Sequence, residues 1–240
     1  MKAMIFAAGK GTRLKPLTDN IPKALVKVKN TPLLEIVIKK LISYGVNEII
    51  INVHYLANQI IKFLEENNHF GIRIEISDET DELLDTGGGL KKASWFFDSK
   101  ESFVVYNVDI ISNINLNQML DFHNSKKALV TLAIRNRESS RYLLFDDNLH
   151  LGGWQNIATK NEIILNPKRK LYKFAFSGIH IIHPEVFNYM DESSKFSLIK
   201  FYLKIAKIHS VIGYKHNSDN WFDIGNINKL KEADLLLKNR

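Results

Sequence analysis

Two neighbouring stretches decide the fold: Lys2-Ala3-Met4-Ile5-Phe6-Ala7-Ala8-Gly9-Lys10-Gly11-Thr12-Arg13-Leu14-Lys15-Pro16-Leu17-Thr18, and then Ile21-Pro22-Lys23-Ala24-Leu25. Ala3–Ala7 is a short apolar run, as expected of a strand buried on both faces, and it passes straight into a glycine loop. Glycines let a backbone approach phosphate groups closely, with successive N–H groups aimed at their oxygens. Arg13 adds a planar, permanently charged fork suited to phosphate. Lys23, ten residues further on, is a candidate second cation. The spacing excludes two familiar loops. The G-x-x-x-x-G-K-[ST] pattern is absent, and Leu14 stands where a dinucleotide fingerprint has its third glycine. Lys27 and Lys29 occupy the region where such a fingerprint needs an acid, which argues against a nicotinamide-dependent oxidoreductase.

Outward from this loop, strand and helix patterns alternate. Leu34, Val37, Ile38 and Leu41 recur at helical spacing and Gly45 follows as a stop. Residues 48–53 read as a strand, Ile60, Phe63 and Leu64 mark a helix, and 72–76 alternates as a strand. A helix over 87–93, a strand over 103–108 ending at Asp109, a helix over 116–122 and a strand over 129–134 follow. The second half is less regular. Strands are expected over 142–146, 162–165 and 175–182, and helices over 184–190, 197–207 and 226–238. The last carries Ile227, Leu230, Ala233 and Leu237 on one face. This rhythm predicts a mostly parallel sheet covered on both faces. Ligands of such sheets bind beyond the carboxyl ends of the strands, where Gly9–Arg13 and Asn107–Asp109 fall.

The composition is that of a globular protein, with 45% hydrophobic and 25% charged residues in 240. Cysteine is absent, which excludes disulfides and thiolate metal sites. The apolar run at the N-terminus is too short for a secretion signal and lacks a cleavage region. No stretch reaches the ~18 apolar residues of a membrane span. A cytoplasmic protein without a membrane partner is expected. The net charge of +7 suits phosphorylated small molecules. Its densest cluster, Lys168, Arg169, Lys170 and Lys173, has no stacking aromatics around it, so no nucleic-acid partner is expected.

Further motifs fall along the chain: Asn52-Val53-His54-Tyr55, Asp85-Thr86-Gly87-Gly88-Gly89, Asn107-Val108-Asp109, Phe176-Ser177-Gly178-Ile179 and Trp221-Phe222-Asp223-Ile224-Gly225. Together with A-A-G-x-G-T-R-L-x-P-L-T and P-K-A-L, they resemble the signature of the sugar-1-phosphate nucleotidyltransferases over nearly the whole chain. Within that family the chain is most similar to the short bacterial N-acetylmuramate 1-phosphate uridylyltransferases. The resemblance implies a Rossmann-like three-layer α/β/α sandwich with a mostly parallel mixed central sheet. It implies a single domain over 1–240, with 1–135 binding the nucleotide, 136–240 binding the sugar phosphate, and no C-terminal β-helix. The implied reaction is attack of a sugar 1-phosphate on the α-phosphorus of a nucleoside triphosphate, with Mg²⁺ as cofactor. UTP and N-acetylmuramate 1-phosphate are the favoured pair. A guanylyltransferase acting on mannose or heptose 1-phosphate is the alternative.

By the same resemblance, Asp109 and Asp223 would hold Mg²⁺, whose hard oxygen preference suits paired carboxylates. Arg13 and Lys23 would neutralise the triphosphate, and with Asp109 they form the expected catalytic set. Ala8, Gly9, Gly11 and Thr12 would supply backbone contacts, Gly87 and Gly88 would lie against the base, and Asn107 and Gly178 would touch the sugar 1-phosphate. His54 and Tyr55 read as a core histidine and a half-buried aromatic. Val108 replaces a common glycine, and Asn226 replaces a threonine after D-I-G, weakening the helix cap there. The E-K-P lysine of longer relatives is missing, with Lys168, Lys170 and Lys173 as substitutes. Residues 151–170 match no pattern and are expected to set sugar specificity. A non-catalytic nucleotide-sugar-binding regulator would lack one of the charged residues, and Arg13, Lys23, Asp109 and Asp223 are all present. The expected assembly is a monomer or homodimer.

Overall fold

Ala3, Met4 and Ile5 are all fully buried, and their side chains divide between two cores: Ala3 and Ile5 enter one, Met4 the other. A strand that buries both faces needs helices above and below it. The computed structural model describes residues 1–190 and 194–236 and supplies both layers. In chain order, β1 (Lys2–Phe6) is followed by a hairpin of β2 (Lys27–Val28) and β3 (Thr31–Pro32), then α1 (Leu33–Ser43), β4 (Glu48–Val53), α2 (Ala57–Glu66) and β5 (Arg73–Asp78). Next come α3 (Asp85–Lys92), β6 (Phe103–Asn107), β7 (Ile110–Ser112), α4 (Leu116–Ser125), β8 (Val130–Arg135), β9 (Arg141–Phe145), β10 (Leu151–Asn156) and β11 (Glu162–Ile164). The chain continues through β12 (Tyr172–Ile182), α5 (Leu198–Ile205), β13 (Val211–Lys215), β14 (Trp221–Asp223) and α6 (Ile227–Leu236).

The first half forms a parallel block in the order β5-β4-β1-β6. Strand β12 then runs antiparallel to β6 and to β8, and β13 lies parallel to β8. The first residues of β12 also pair with β9, which carries β10 and β11 as an antiparallel extension. The sheet is therefore mixed. Its parallel part comes from the βαβ rhythm read in the sequence, and its antiparallel part from the less regular second half. One core packs α1, α2, α4 and α6 on one face through Leu34, Ile38, Ile60, Met119 and Ala233. The other packs α3 and α5 through Leu90 and Phe201. This is the three-layer α/β/α sandwich.

Local chemistry explains the element ends. Helix α1 buries Leu33, Leu34, Val37, Ile38 and Leu41 and stops where Gly45 turns to φ +80°. The amides of Gly45 and Val46 then close onto the carbonyls of Ile42 and Leu41. At the head of α6, Asn226 is not a weaker cap: its side-chain oxygen accepts the Lys229 amide at 3.0 Å, satisfying a free donor of the first turn. Leu230 and Ala233 are buried as the amphipathic pattern predicts, while Leu237 lies outside the described residues. Strand β10 forms where no pattern was legible. Side chains at Gly152 and Gly153 would come within 2.5 Å of Leu171 and 2.4 Å of the Ile163 carbonyl, so close packing removes them. No helix among the described residues is long and apolar enough to cross a membrane.

Candidate functional site

The carboxyl ends of β1, β4 and β6 open onto a cavity of about 410 Å³. Ala7, Ala8, Gly9, Lys23, Asn107 and Asp109 line it on the loop side, and Asn52, Glu79, Asp85, Thr86 and Lys195 complete it. The glycine loop is folded onto its own C-terminal part. Gly11 adopts φ +66° and its carbonyl accepts both the Leu14 amide and the Thr18 hydroxyl at 2.8 Å. A side chain at Gly11 would meet Thr18 at 2.9 Å and the Lys23 stem at 3.1 Å, so Lys23 packs directly against the loop. Gly9 has open space over its Cα. The loop thus presents bare backbone to the cavity with Lys23 at its edge, an arrangement fit for anionic oxygens.

Both candidate metal carboxylates lie beside this loop. The Val108 amide donates to the Phe6 carbonyl at 3.1 Å, fixing the exit of β6 against β1. Strand β14 pairs antiparallel with β7, setting Asp223 opposite Ile110, and the Ile224 amide donates to the Asp109 carbonyl at 2.8 Å. Two aspartates more than a hundred residues apart in sequence thereby become neighbours. Each holds an ammonium: Asp109 that of Lys23, and Asp223 that of Lys229 at 3.1 Å. Arg13 joins them, because a side chain at Gly225 would fall 2.7 Å from the Asp223 carboxylate and 3.3 Å from the Arg13 guanidinium. Lys23 with Asp109 and Arg13 with Asp223 thus form two groups tied together by the Ile224–Asp109 backbone bond; Lys23 and Asp109 line the cavity, and Arg13 and Asp223 stand outside its lining. Two carboxylates facing cations suit a hard divalent ion that completes its shell with substrate phosphates and water. No cluster of three or more candidate metal ligands exists among the described residues.

Asn107 and Gly178 also meet. Strand β12 shifts register between Phe176 and His180, and Gly178 inside that irregularity adopts φ +76°. A side chain there would lie 2.9 Å from the Asn107 amide nitrogen. The irregularity is held from behind. Trp221 donates its indole N–H to the Ser177 carbonyl at 2.9 Å, and the His216 ring nitrogen lies 2.7 Å from the Ser177 hydroxyl. Burial, aided by Arg135 and Arg137, pushes the His216 pKa down to about 4, so the ring is neutral at pH 7. The Arg137 guanidinium stacks over Trp221 at 4.5 Å.

Other predicted positions have different surroundings. Gly87 and Gly88 do not line the cavity; their Cα atoms face Phe196 and the Ser194 carbonyl. Asp85 and Thr86 form the wall at that corner. Tyr55 fastens its hydroxyl to the Asp19 carbonyl at 2.8 Å, and neither it nor His54 borders the cavity. Lys168, Lys170 and Lys173 do not border it either; Lys170 lines a separate hollow with Asp146 and His209. A second cavity of about 470 Å³, lined by Tyr142, Trp154, Asn156, Phe176 and Ser197 among others, takes in part of 151–170. Ser197 and Lys195, two residues apart, border the two cavities.

Sequence reasoning met Asn52 only as part of a motif and gave it no role, and it missed Glu79 and Lys195. Asn52 is 3% exposed and accepts the Ala7 amide at 2.8 Å while donating to Glu79 at 2.7 Å. The second Glu79 oxygen accepts the Leu84 amide at 3.1 Å. A polar residue closing the run Ile49-Ile50-Ile51-Asn52 was the available signal, since a buried amide needs partners.

A family model described as nucleotidyl transferase matches residues 2–240. A UTP–glucose-1-phosphate uridylyltransferase from Synechocystis sp. is 29% identical over 95% of this chain and 61% of its own length. An N-acetylmuramate alpha-1-phosphate uridylyltransferase from Neisseria meningitidis is 29% identical over 98% of both chains. A mannose-1-phosphate guanyltransferase from Gibberella zeae is 40% identical over 59% of this chain and 40% of its own length. The chain thus spans less than two thirds of the first and third of these relatives. In fold, it is similar to a putative glucose-1-phosphate thymidylyltransferase structure from Bacillus anthracis, with a TM-score of 0.82, 20% identity, and coverage of 100% of this chain and 96% of that one.

Proposed function

The chain belongs to the nucleotidyl transferase family, and on that premise we propose that it joins a nucleoside triphosphate to a sugar 1-phosphate and releases pyrophosphate. One observation carries this reading: a bare-backbone loop and the Lys23–Asp109 pair line a cavity at the strand ends, and a backbone bond ties the stretch that carries Asp223, with Arg13 beside it, to Asp109. The acceptor phosphate is already anionic, so no general base is needed. Catalysis rests on positioning and charge neutralisation. The Gly9–Thr12 backbone cradles the triphosphate. Arg13 and Lys23 balance its charge. Asn107, held by the Gly178 turn, orients the acceptor. Asp109 and Asp223 would hold Mg²⁺, which when bound withdraws charge from the phosphate oxygens. The 470 Å³ cavity beside Trp154 and Asn156 would take the sugar.

For the substrate pair, GTP with mannose 1-phosphate comes first, since mannose-1-phosphate guanyltransferases recur among the curated relatives and include the one with the highest identity quoted above. UTP with N-acetylmuramate 1-phosphate is the second reading, favoured by the relative that matches this chain end to end. The test is pyrophosphate release with Mg²⁺ across a grid of nucleoside triphosphates and sugar 1-phosphates. Release that requires both substrates supports the reaction, and the best pair names the substrates. Silence across the grid, with nucleotide still bound, would replace the enzyme by a nucleotide-sensing protein.

A further inference from the structure

Residues 194–198 come from the second half of the chain and land on the start of α3. The Phe196 carbonyl accepts the Gly87 amide at 2.8 Å, and the Thr86 hydroxyl accepts the Leu198 amide at 3.0 Å. A side chain on Gly87 would fall 2.3 Å from the Phe196 ring, and one on Gly88 would fall 1.9 Å from the Ser194 carbonyl oxygen. The two glycines are thus bare because another part of the same chain occupies the space. Lys195 sits between these anchors. It borders the 410 Å³ cavity together with Lys23 and Asp109, and has no hydrogen-bond or ion-pair partner among the described residues.

The chemistry of the cavity gives that ammonium a task. In an in-line displacement, the nucleophile enters opposite the leaving group. The cations assigned above to the triphosphate, Arg13 and Lys23, belong to the first half, as does the glycine loop. Among the described residues, Lys195 is the one contribution of the second half to this cavity. We propose that Thr86–Gly88 is a seat for residues 194–198, and that the seat serves to bring the Lys195 ammonium to the phosphate of the sugar 1-phosphate. This rests on the nucleotidyl-transfer reading. It gives the Gly87–Gly88 pair a different job from contacting the base, and it places the acceptor's cation outside the 168–173 cluster.

The test uses the full chain with its best substrate pair, varying each substrate in turn, with nucleotide binding measured separately by calorimetry. Lys195→Ala raises KM for the sugar 1-phosphate about tenfold to a hundredfold, the worth of one charge-assisted hydrogen bond, and leaves nucleotide affinity unchanged. Lys195→Arg recovers most of the loss. Gly88→Ala, which pushes the segment off its seat, reproduces the KM effect with an unchanged circular dichroism spectrum. If Gly88→Ala fails to fold, the two Lys195 variants decide alone. An unchanged KM for the sugar 1-phosphate in Lys195→Ala, or an effect confined to the triphosphate, overturns the assignment. A wild-type protein silent on every pair instead defeats the parent reading, and the assignment with it.

Discussion

The backbone amide of Ile224 donates to the carbonyl of Asp109 across 2.8 Å, and this bond holds the turn after β6, where Asp109 stands, against the end of β14, where Asp223 stands. Because backbone holds the pair, removing either side chain leaves the frame standing. Asp109→Ala and Asp223→Ala are each expected to lower kcat by at least about a hundredfold while melting close to wild type. Chelation should stop turnover and added Mg²⁺ should restore it. Near-normal rates in both variants would remove the metal assignment.

The Asn52–Glu79 pair supports the other wall. Asn52 accepts from Ala7 at the mouth of the glycine loop, and Glu79 accepts from Asn52 and Leu84. Asn52→Leu leaves the Ala7 amide and a Glu79 oxygen without partners, at a cost of about 1–3 kcal/mol for each buried group. A lower urea midpoint together with weaker nucleotide binding is expected. Full stability with full nucleotide affinity would mean that the network positions nothing.

The parallel block and its glycine loop were legible because the elements there follow one periodicity each and are set apart by short polar or glycine-containing turns. Leu34, Val37, Ile38 and Leu41 announce α1 without help from the rest of the chain. The second half was harder because its geometry depends on partners remote in sequence. Gly152 and Gly153 fit no pattern until Leu171 and the Ile163 carbonyl are seen against them. In the same way, the Gly87–Gly88 run announces a close approach without naming what approaches, and Phe196 lies 109 residues further along the chain. Asp109 and Asp223 were singled out as candidates by their motifs, but the hydrogen bond that makes them neighbours leaves no trace in either motif.

Stability should fall on mild acidification, and buried histidines set the sign. Burial lowers the pKa of His123 to about 4, with His183 adding to the effect. It lowers His180 to about 3, and His216 to about 4 with the help of Arg135 and Arg137. An unfolded histidine titrates near ~6.5, so below that pH the unfolded chain takes up protons that the native chain refuses. The stability these groups contribute is complete above pH ~6.5 and is lost as pH falls toward ~4, at up to roughly 1.4 kcal/mol per pH unit for each histidine. Urea titrations at pH 7, 6 and 5 read this directly. Equal unfolding free energies at all three would mean that the rings take up protons in the native state as readily as in the unfolded chain.

Gly178 offers the sharpest probe of the acceptor side. Its φ of +76° is one that side chains rarely adopt, and an added methyl would lie 2.8 Å from Ile110 and 2.9 Å from Asn107. Gly178→Ala therefore carries backbone strain of about 1–3 kcal/mol and must also move Asn107 or straighten the strand. The Trp221 and His216 contacts to Ser177 oppose straightening, so Asn107 is the group that yields. The expected result is a lower urea midpoint and a higher KM for the sugar 1-phosphate, with nucleotide affinity retained because the glycine loop and Lys23 are untouched. Asn107→Ala in the wild-type background should reproduce the KM effect without the loss of stability. If Gly178→Ala weakens nucleotide binding and sparing of the acceptor accompanies it, the acceptor does not bind against this turn.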